Sequence, residues 1–216
     1  MGDVLSLSDT AHRLCGALSD TLAIGMGSGM AQMRATILRD RDNTPSRIMG
    51  LSRRARTMEL EWQQLREQIR QKIAAAGQAV QLVYLTEQDP PGAQPFMYTI
   101  GNHHFGLPEL LIVDTDLAAF ADVLNRLGKI QRDRGSALAD EERVDIGGRF
   151  PLRIVDAGEI GRTGYATFVG IYYGTRDYEV RQVLLPDTNG RWPDTPGCDL
   201  PYARQPVLSK TRRRDH

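Results

Sequence analysis

Three short apolar runs, AVQLVYLTE (79–87), FMYTIG (96–101) and ELLIVD (109–114), stand one after another in the middle of the chain. They are rich in β-branched and aromatic residues, and QDPPGAQP (88–95) and GNHHFGLP (101–108) separate them with turn-forming Pro and Gly. That combination predicts three strands. Upstream, Met58, Trp62, Leu65, Ile69, Ile73 and Ala76 recur at steps of three and four, which predicts an amphipathic helix from about Arg54 to Ala76 with Gly77 as its C-cap. Downstream, Leu117, Phe120, Ala121, Leu124 and Leu127 repeat the pattern to about Asp133, with Asp116 placed to cap. The order helix, strands, helix defines an α+β fold with one antiparallel or mixed β-sheet packed with helices.

Further along, PLRIVDAG (151–158) and EVRQVLLP (179–186) read as strands, whereas TGYATFVGIYYG (163–174) fits either a strand or a buried helix. DEERVDIGGR (140–149) reads as a charged, Gly-rich connection, and PDTNGRWPDTPGCDLP (186–201) is dense in turn chemistry. At the other end, Ser8 can cap a helix carried by Ala11, Leu14, Cys15, Leu18 and Leu22, before Gly25, Gly27 and Gly29 interrupt it. A second helical stretch, Ala31 to Leu38, precedes the polar RDRDNTPSR (39–47). The expected organisation is a helical N-terminal extension over 1–50, an α+β domain over 51–208 and a disordered basic tail over 209–216.

Composition narrows the function classes. With 41% hydrophobic and 25% charged residues in 216, the chain has globular proportions, and no apolar run reaches the ~18 residues of a membrane span. Lys+Arg of 27 against Asp+Glu of 27 gives no net field to draw nucleic acid or an anionic membrane, so neither is an expected partner. Cys15 and Cys198 have no CxxC spacing, which argues against a thiolate zinc site or a disulfide framework. MGDVLSLSD (1–9) lacks a basic n-region, and a cytoplasmic location is expected. No cofactor and no metal is expected.

Two tempting motifs fail on context. Gly25-x-Gly27-x-Gly29 has the wrong spacing for a dinucleotide fingerprint and no second strand behind it. Asp187-Thr188-Asn189-Gly190 opens like a calcium loop, but Cys198 stands where a bidentate Glu is required, so a tight turn at Asn189-Gly190 is the better reading.

From about Gly77 to Leu208 the chain resembles the bacterial domain of unknown function 4262 family. The resemblance is carried by AVQLV, FMYTIG, PELLIVD, a helix containing Leu124-Asn125, RQVLLPDTNGRWP and the closing Gln205-Pro206-Val207-Leu208. It implies no assigned biochemistry. The family pattern has Gly-His-Pro-Glu-Leu where this chain has Gly106-Leu107-Pro108-Glu109-Leu110, with His103 and His104 slightly earlier on the same loop.

The candidate site therefore joins the loop Gly101 to Glu109 to the turn Gln182 to Pro193, on the assumption that their strands are neighbours. His104, Glu109 and Asp187 are the candidate catalytic groups: a histidine can act as base or acid near neutral pH, and carboxylates can orient it. Gly101, His103, Gln182, Trp192 and Gln205 are candidate binding residues, with Gln182 suited to hold an amide or carbonyl. A purely architectural account fits the same residues: Glu109 starts a strand, Asp187 closes an Asx-type turn and Trp192 packs over the sheet end. No Ser or Cys sits in a nucleophile elbow. The sequence favours an accessory, interaction or regulatory protein, meeting a protein partner or a second copy through its N-terminal helices. A hydrolase-like or transferase-like enzyme is the alternative.

Overall fold

The computed structural model describes residues 21–25, 53–85, 87, 89–114 and 120–208. Strand β1 (Thr21–Gly25) is followed by helix α1 (Arg53–Ala76), then β2 (Ala79–Tyr84), β3 (Phe96–Ile100), a 3₁₀ turn (Asn102–Phe105) and β4 (Glu109–Val113). Helix α2 (Ala121–Arg134), the short strands β5 (Arg143–Val144) and β6 (Leu152–Asp156), helix α3 (Thr167–Tyr173) and β7 (Val180–Leu184) complete the order. One mixed sheet results, ordered β1-β2-β3-β4-β7-β6-β5. β1 runs parallel to β2 and β4 parallel to β7, and the other neighbours are antiparallel.

The helices cover both faces, so the central strand β4 is buried along its whole length. On one face Trp62 and Ile69 of α1 meet Tyr98, Ile100, Leu111, Val113, Phe168 and Val180. Trp62 and Phe168 pack edge to face with centroids 4.8 Å apart. On the other face Leu124 and Leu127 of α2 pack on Val80, Leu82, Met97, Leu110, Ile112 and Ile154. Alternation along each strand thus sorts neighbouring residues into two cores.

α1, the three central strands, β6 and β7 match the sequence reading. Gly77 ends α1 with a φ of 79° and donates its amide to Ile73 O at 2.7 Å, a C-terminal cap that favours glycine. Three features differ. The ambiguous 163–174 stretch is helical: a π turn (Gly161–Tyr165) leads into α3, and Tyr178 Oη donates to Ala166 O at 3.0 Å to satisfy a carbonyl between the two. Within the supposed connection 140–149, Arg143–Val144 pair with β6 as a two-residue edge strand. Thr21 and Leu22 belong to β1 rather than to a helix end. The rest of the Ser8 helix, the 31–38 stretch, the Asp116 cap and the 209–216 tail lie outside the described residues.

Candidate functional site

The N-terminal end of β4 is built around a buried carboxylate. Glu109 is fully buried, and its carboxylate accepts hydrogen bonds from five donors, four of them on β3 and the loop. Thr99 Oγ1 and Asn102 Nδ2 donate to Oε2 at 2.6 and 3.3 Å, while the amides of Gly101 and His103 donate to Oε1 at 2.9 and 3.1 Å. Burial pushes the carboxyl above its ordinary range, against the opposing pull of Thr99 and the loop amides. The sequence folds this way because Glu109 pairs β4 into the sheet at the point where β3 has just ended, so the loop between them must arch over its side chain.

A second layer fixes the loop to the helices. Gln78, between α1 and β2, donates to Leu124 O of α2 at 3.0 Å and accepts from Asn102 Nδ2 at 3.0 Å. Arg132 Nη1 donates to Gln78 Oε1 and to Asn102 Oδ1, both at 2.6 Å, and its Nη2 donates to Ala76 O at 3.2 Å. Two glycines make room for this layer. A Cβ on Gly128 would stand 1.8 Å from Gln78 Oε1, and one on Gly101, whose φ is 138°, would stand 2.6 Å from Gly77 O.

What the layer holds up is a set of exposed rings. His103 is half-buried, and His104 and Phe105 are exposed. Both imidazoles lie against Tyr173 of α3, with centroids 4.8 and 4.9 Å away. Tyr173 Oη in turn approaches Glu109 Oε1 at 3.4 Å, and burial together with the Glu109 charge pushes its phenol above the ordinary value. His104, Glu109, Gly101 and His103 are therefore brought together.

The second half of the expected constellation stands elsewhere. β4 and β7 are indeed neighbours, but their pairing is parallel, with Glu109 opposite Val180. The loop before β4 and the turn after β7 consequently lie at opposite ends of the sheet, separated by the ~13 Å length of a five-residue strand. Asp187 accepts the amides of Asn189 and Arg191 on Oδ1, both at 2.8 Å, and that of Asp199 on Oδ2 at 3.0 Å. Trp192 lies under the guanidinium groups of Arg143 and Arg153, at 4.5 and 5.2 Å. Gln182 accepts Leu208 N at 2.9 Å, and Gln205 exchanges hydrogen bonds with both backbone groups of Leu185, at 3.1 and 3.0 Å. These two glutamines pin the C-terminal segment to β7. Leu107, at the position where the family pattern carries His, is buried.

Sequence reasoning missed Gln78, Thr99, Asn102, Arg132 and Tyr173. Two signals were present: Thr99 interrupts an otherwise apolar strand, and Gln78 and Asn102 flank strand ends where buried polar side chains commonly satisfy turning backbone. Among the described residues no three His, Cys, Asp or Glu side chains are grouped to hold a metal ion, and no described helix is long and apolar enough to cross a membrane.

Fold and site together define an α+β protein in which a buried carboxylate braces an exposed ring-bearing loop. The chain belongs to the family described as Domain of unknown function (DUF4262), whose model matches residues 72–199 and so takes in the last turn of α1, every strand from β2 to β7 and the whole Glu109 network. No curated protein and no solved structure matches the chain.

Proposed function

We propose that this chain is a cytoplasmic bacterial accessory or interaction module, and that the His103–Phe105 loop is a surface through which it meets a partner. The observation that carries this reading is the full use of Glu109 in holding the loop. Its carboxylate oxygens already accept Thr99, Gly101, Asn102 and His103, so it serves as an anchor. A rigid loop displaying His104 and Phe105 loses little conformational entropy on binding. In this reading the extension expected over 1–50, apart from Thr21–Gly25, which pair with β2 in the sheet, offers a second contact to a partner or to another copy, beside the 51–208 domain.

The test is capture from a native extract by the immobilised full-length protein, compared with the His104→Ala/Phe105→Ala double variant. Both side chains are exposed, so the variant should keep the wild-type melting midpoint. A partner retained by wild type and lost by the variant supports the reading; identical retention refutes it.

One contact favours a second, enzymatic reading of hydrolase-like or transferase-like type. Tyr173 touches Glu109 and both imidazoles, which would let His104 exchange a proton with a bound ligand while Tyr173 and Glu109 fix the site behind it. Asp187 stays outside such a site. An ester-hydrolysis screen in which His104→Ala abolishes turnover, with folding intact, would support it.

A further inference from the structure

The rings at the loop belong to a longer row that ends in a cation on each side. Arg66 of α1 lies over the Tyr172 ring at 5.9 Å and donates from Nη2 to Tyr172 O at 3.3 Å. Tyr172 meets Tyr173 edge to face at 5.0 Å, Tyr173 meets His103 and His104, and Arg132 lies 5.9 Å over the ring of Phe105 at the far end. α1, α3, the 3₁₀ turn and α2 thus each contribute to this row.

Its charge is one-sided. Neither Arg66 nor Arg132 forms an ion pair among the described residues. The carboxylates that act on these cations are already engaged: Glu109 is buried and bonded to the loop, Glu67 is held by Arg70 at 2.8 Å and by Gln71 at 3.0 Å, and Asp133 pairs with Lys129 at 2.6 Å. Arg66 and His104 are exposed and His103 and Arg132 half-buried, so the row presents basic groups whose neighbouring carboxylates are already engaged.

We propose that this row is the docking face for an acidic segment of a partner protein, whose carboxylates meet Arg66, the imidazoles and Arg132 while its aromatic or aliphatic side chains lie on Tyr172 and Phe105. The inference rests on the interaction reading above and names the chemistry of that partner. Tyr and Arg are the residue types that most often anchor protein interfaces, and here they are prefixed: Tyr173 leans on Glu109, and Arg132 is held by Gln78 and Asn102. A peptide fits better than a nucleic acid. The Tyr173 ring at the middle of the row is flanked by both imidazoles and by Tyr172, so the row lacks the run of free ring faces that successive stacked bases need.

The test uses fluorescence anisotropy with the full-length protein and three short fluorescein-labelled probes: a peptide alternating Glu and Tyr, its Lys/Tyr counterpart, and an oligothymidylate of matching length. The Glu/Tyr peptide is expected to bind saturably, to weaken in high salt, and to bind about tenfold more weakly to Arg66→Ala and to Phe105→Ala, the loss expected of one interface anchor. The Lys/Tyr peptide is expected not to bind. The inference is overturned if the Lys/Tyr peptide binds equally, if oligothymidylate binds more tightly, if neither variant weakens the Glu/Tyr peptide, or if that peptide does not bind at all. Circular dichroism melts of both variants establish that a loss is not unfolding. Should capture still yield a partner that depends on His104 and Phe105 while the Glu/Tyr peptide fails, the acidic-segment inference falls and the interaction reading stands.

Discussion

The hydroxyl of Thr99 donates to Glu109 Oε2 at 2.6 Å while accepting the amide of Leu110 at 2.8 Å and the side-chain amide of Asn102 at 3.0 Å. Both lone pairs of the hydroxyl are thereby engaged, and its proton is committed to the carboxylate. β3, β4 and the loop between them are locked through two side chains that neither periodicity nor composition singles out.

That relationship makes Glu109→Gln a sharp test. A carboxamide brings an NH₂ group against donors that have no acceptor to offer, since Thr99 Oγ1 is already saturated. Chemical denaturation should show a loss of about 1–3 kcal/mol, the range for unpaired buried groups. The pH dependence has a definite sign. Burial raises the folded-state pKa of Glu109, so the folded chain holds that proton more tightly than the unfolded chain, and the stabilisation shrinks as pH rises above the ordinary carboxyl range. The stability gap between wild type and variant should narrow accordingly across that window.

Gly128→Ala reverses the usual helix rule. In an exposed helix interior this change gains up to ~1 kcal/mol. Here the new methyl would meet Gln78 Oε1 and dislodge its contacts with Leu124, Asn102 and Arg132, and we expect a loss of about 2–3 kcal/mol. Combining it with Gln78→Ala should cost less than the sum of the two single changes in the same denaturation assay, because both remove one contact network.

Asp187→Asn tests the turn beyond β7. Burial pushes the Asp187 carboxyl up, but the amides of Arg191, Asp199 and Asn189 outweigh it and the carboxyl sits below its ordinary range. Its stabilisation is present above the ordinary carboxyl pKa and is lost as pH falls through the lowered value. Thermal melts should show a midpoint a few degrees below wild type at neutral pH. The difference should fade in acid.

Tyr98→Phe should stabilise the protein. Tyr98 is fully buried, and its hydroxyl has no hydrogen-bond partner among the described residues. Removing it relieves an unmet polar group, and the denaturation midpoint should rise by the equivalent of about 1 kcal/mol.

Much of the fold was legible because its signals are local. The steps from Trp62 to Ile73 predicted α1, and the β-rich runs predicted β2, β3 and β4 to within three residues. The 163–174 stretch stayed ambiguous because Phe168 and Val169 are buried in a core that a strand would fill as well, and the π turn before them has no sequence signature. Of the site, His103, His104 and Glu109 were identified from the loop, whereas Tyr173 and Arg132 come from helices 64 and 23 residues further along than Glu109 and reach Glu109 and Asn102 respectively only through tertiary packing. The expected meeting with Asp187 failed on strand direction. Neighbouring strands bring two loops together only when the loops leave from the same end, and the parallel β4–β7 pair sends them apart.

The account is tested most directly by amide hydrogen exchange of the full-length protein, read by mass spectrometry with and without the partner captured from extract. It predicts that the partner slows exchange at residues 102–106 and at Tyr172 and Tyr173, while the turn around Asp187 at the far end of the sheet is unchanged. Slowed exchange confined to other surfaces, with residues 102–106 unaffected, would contradict it.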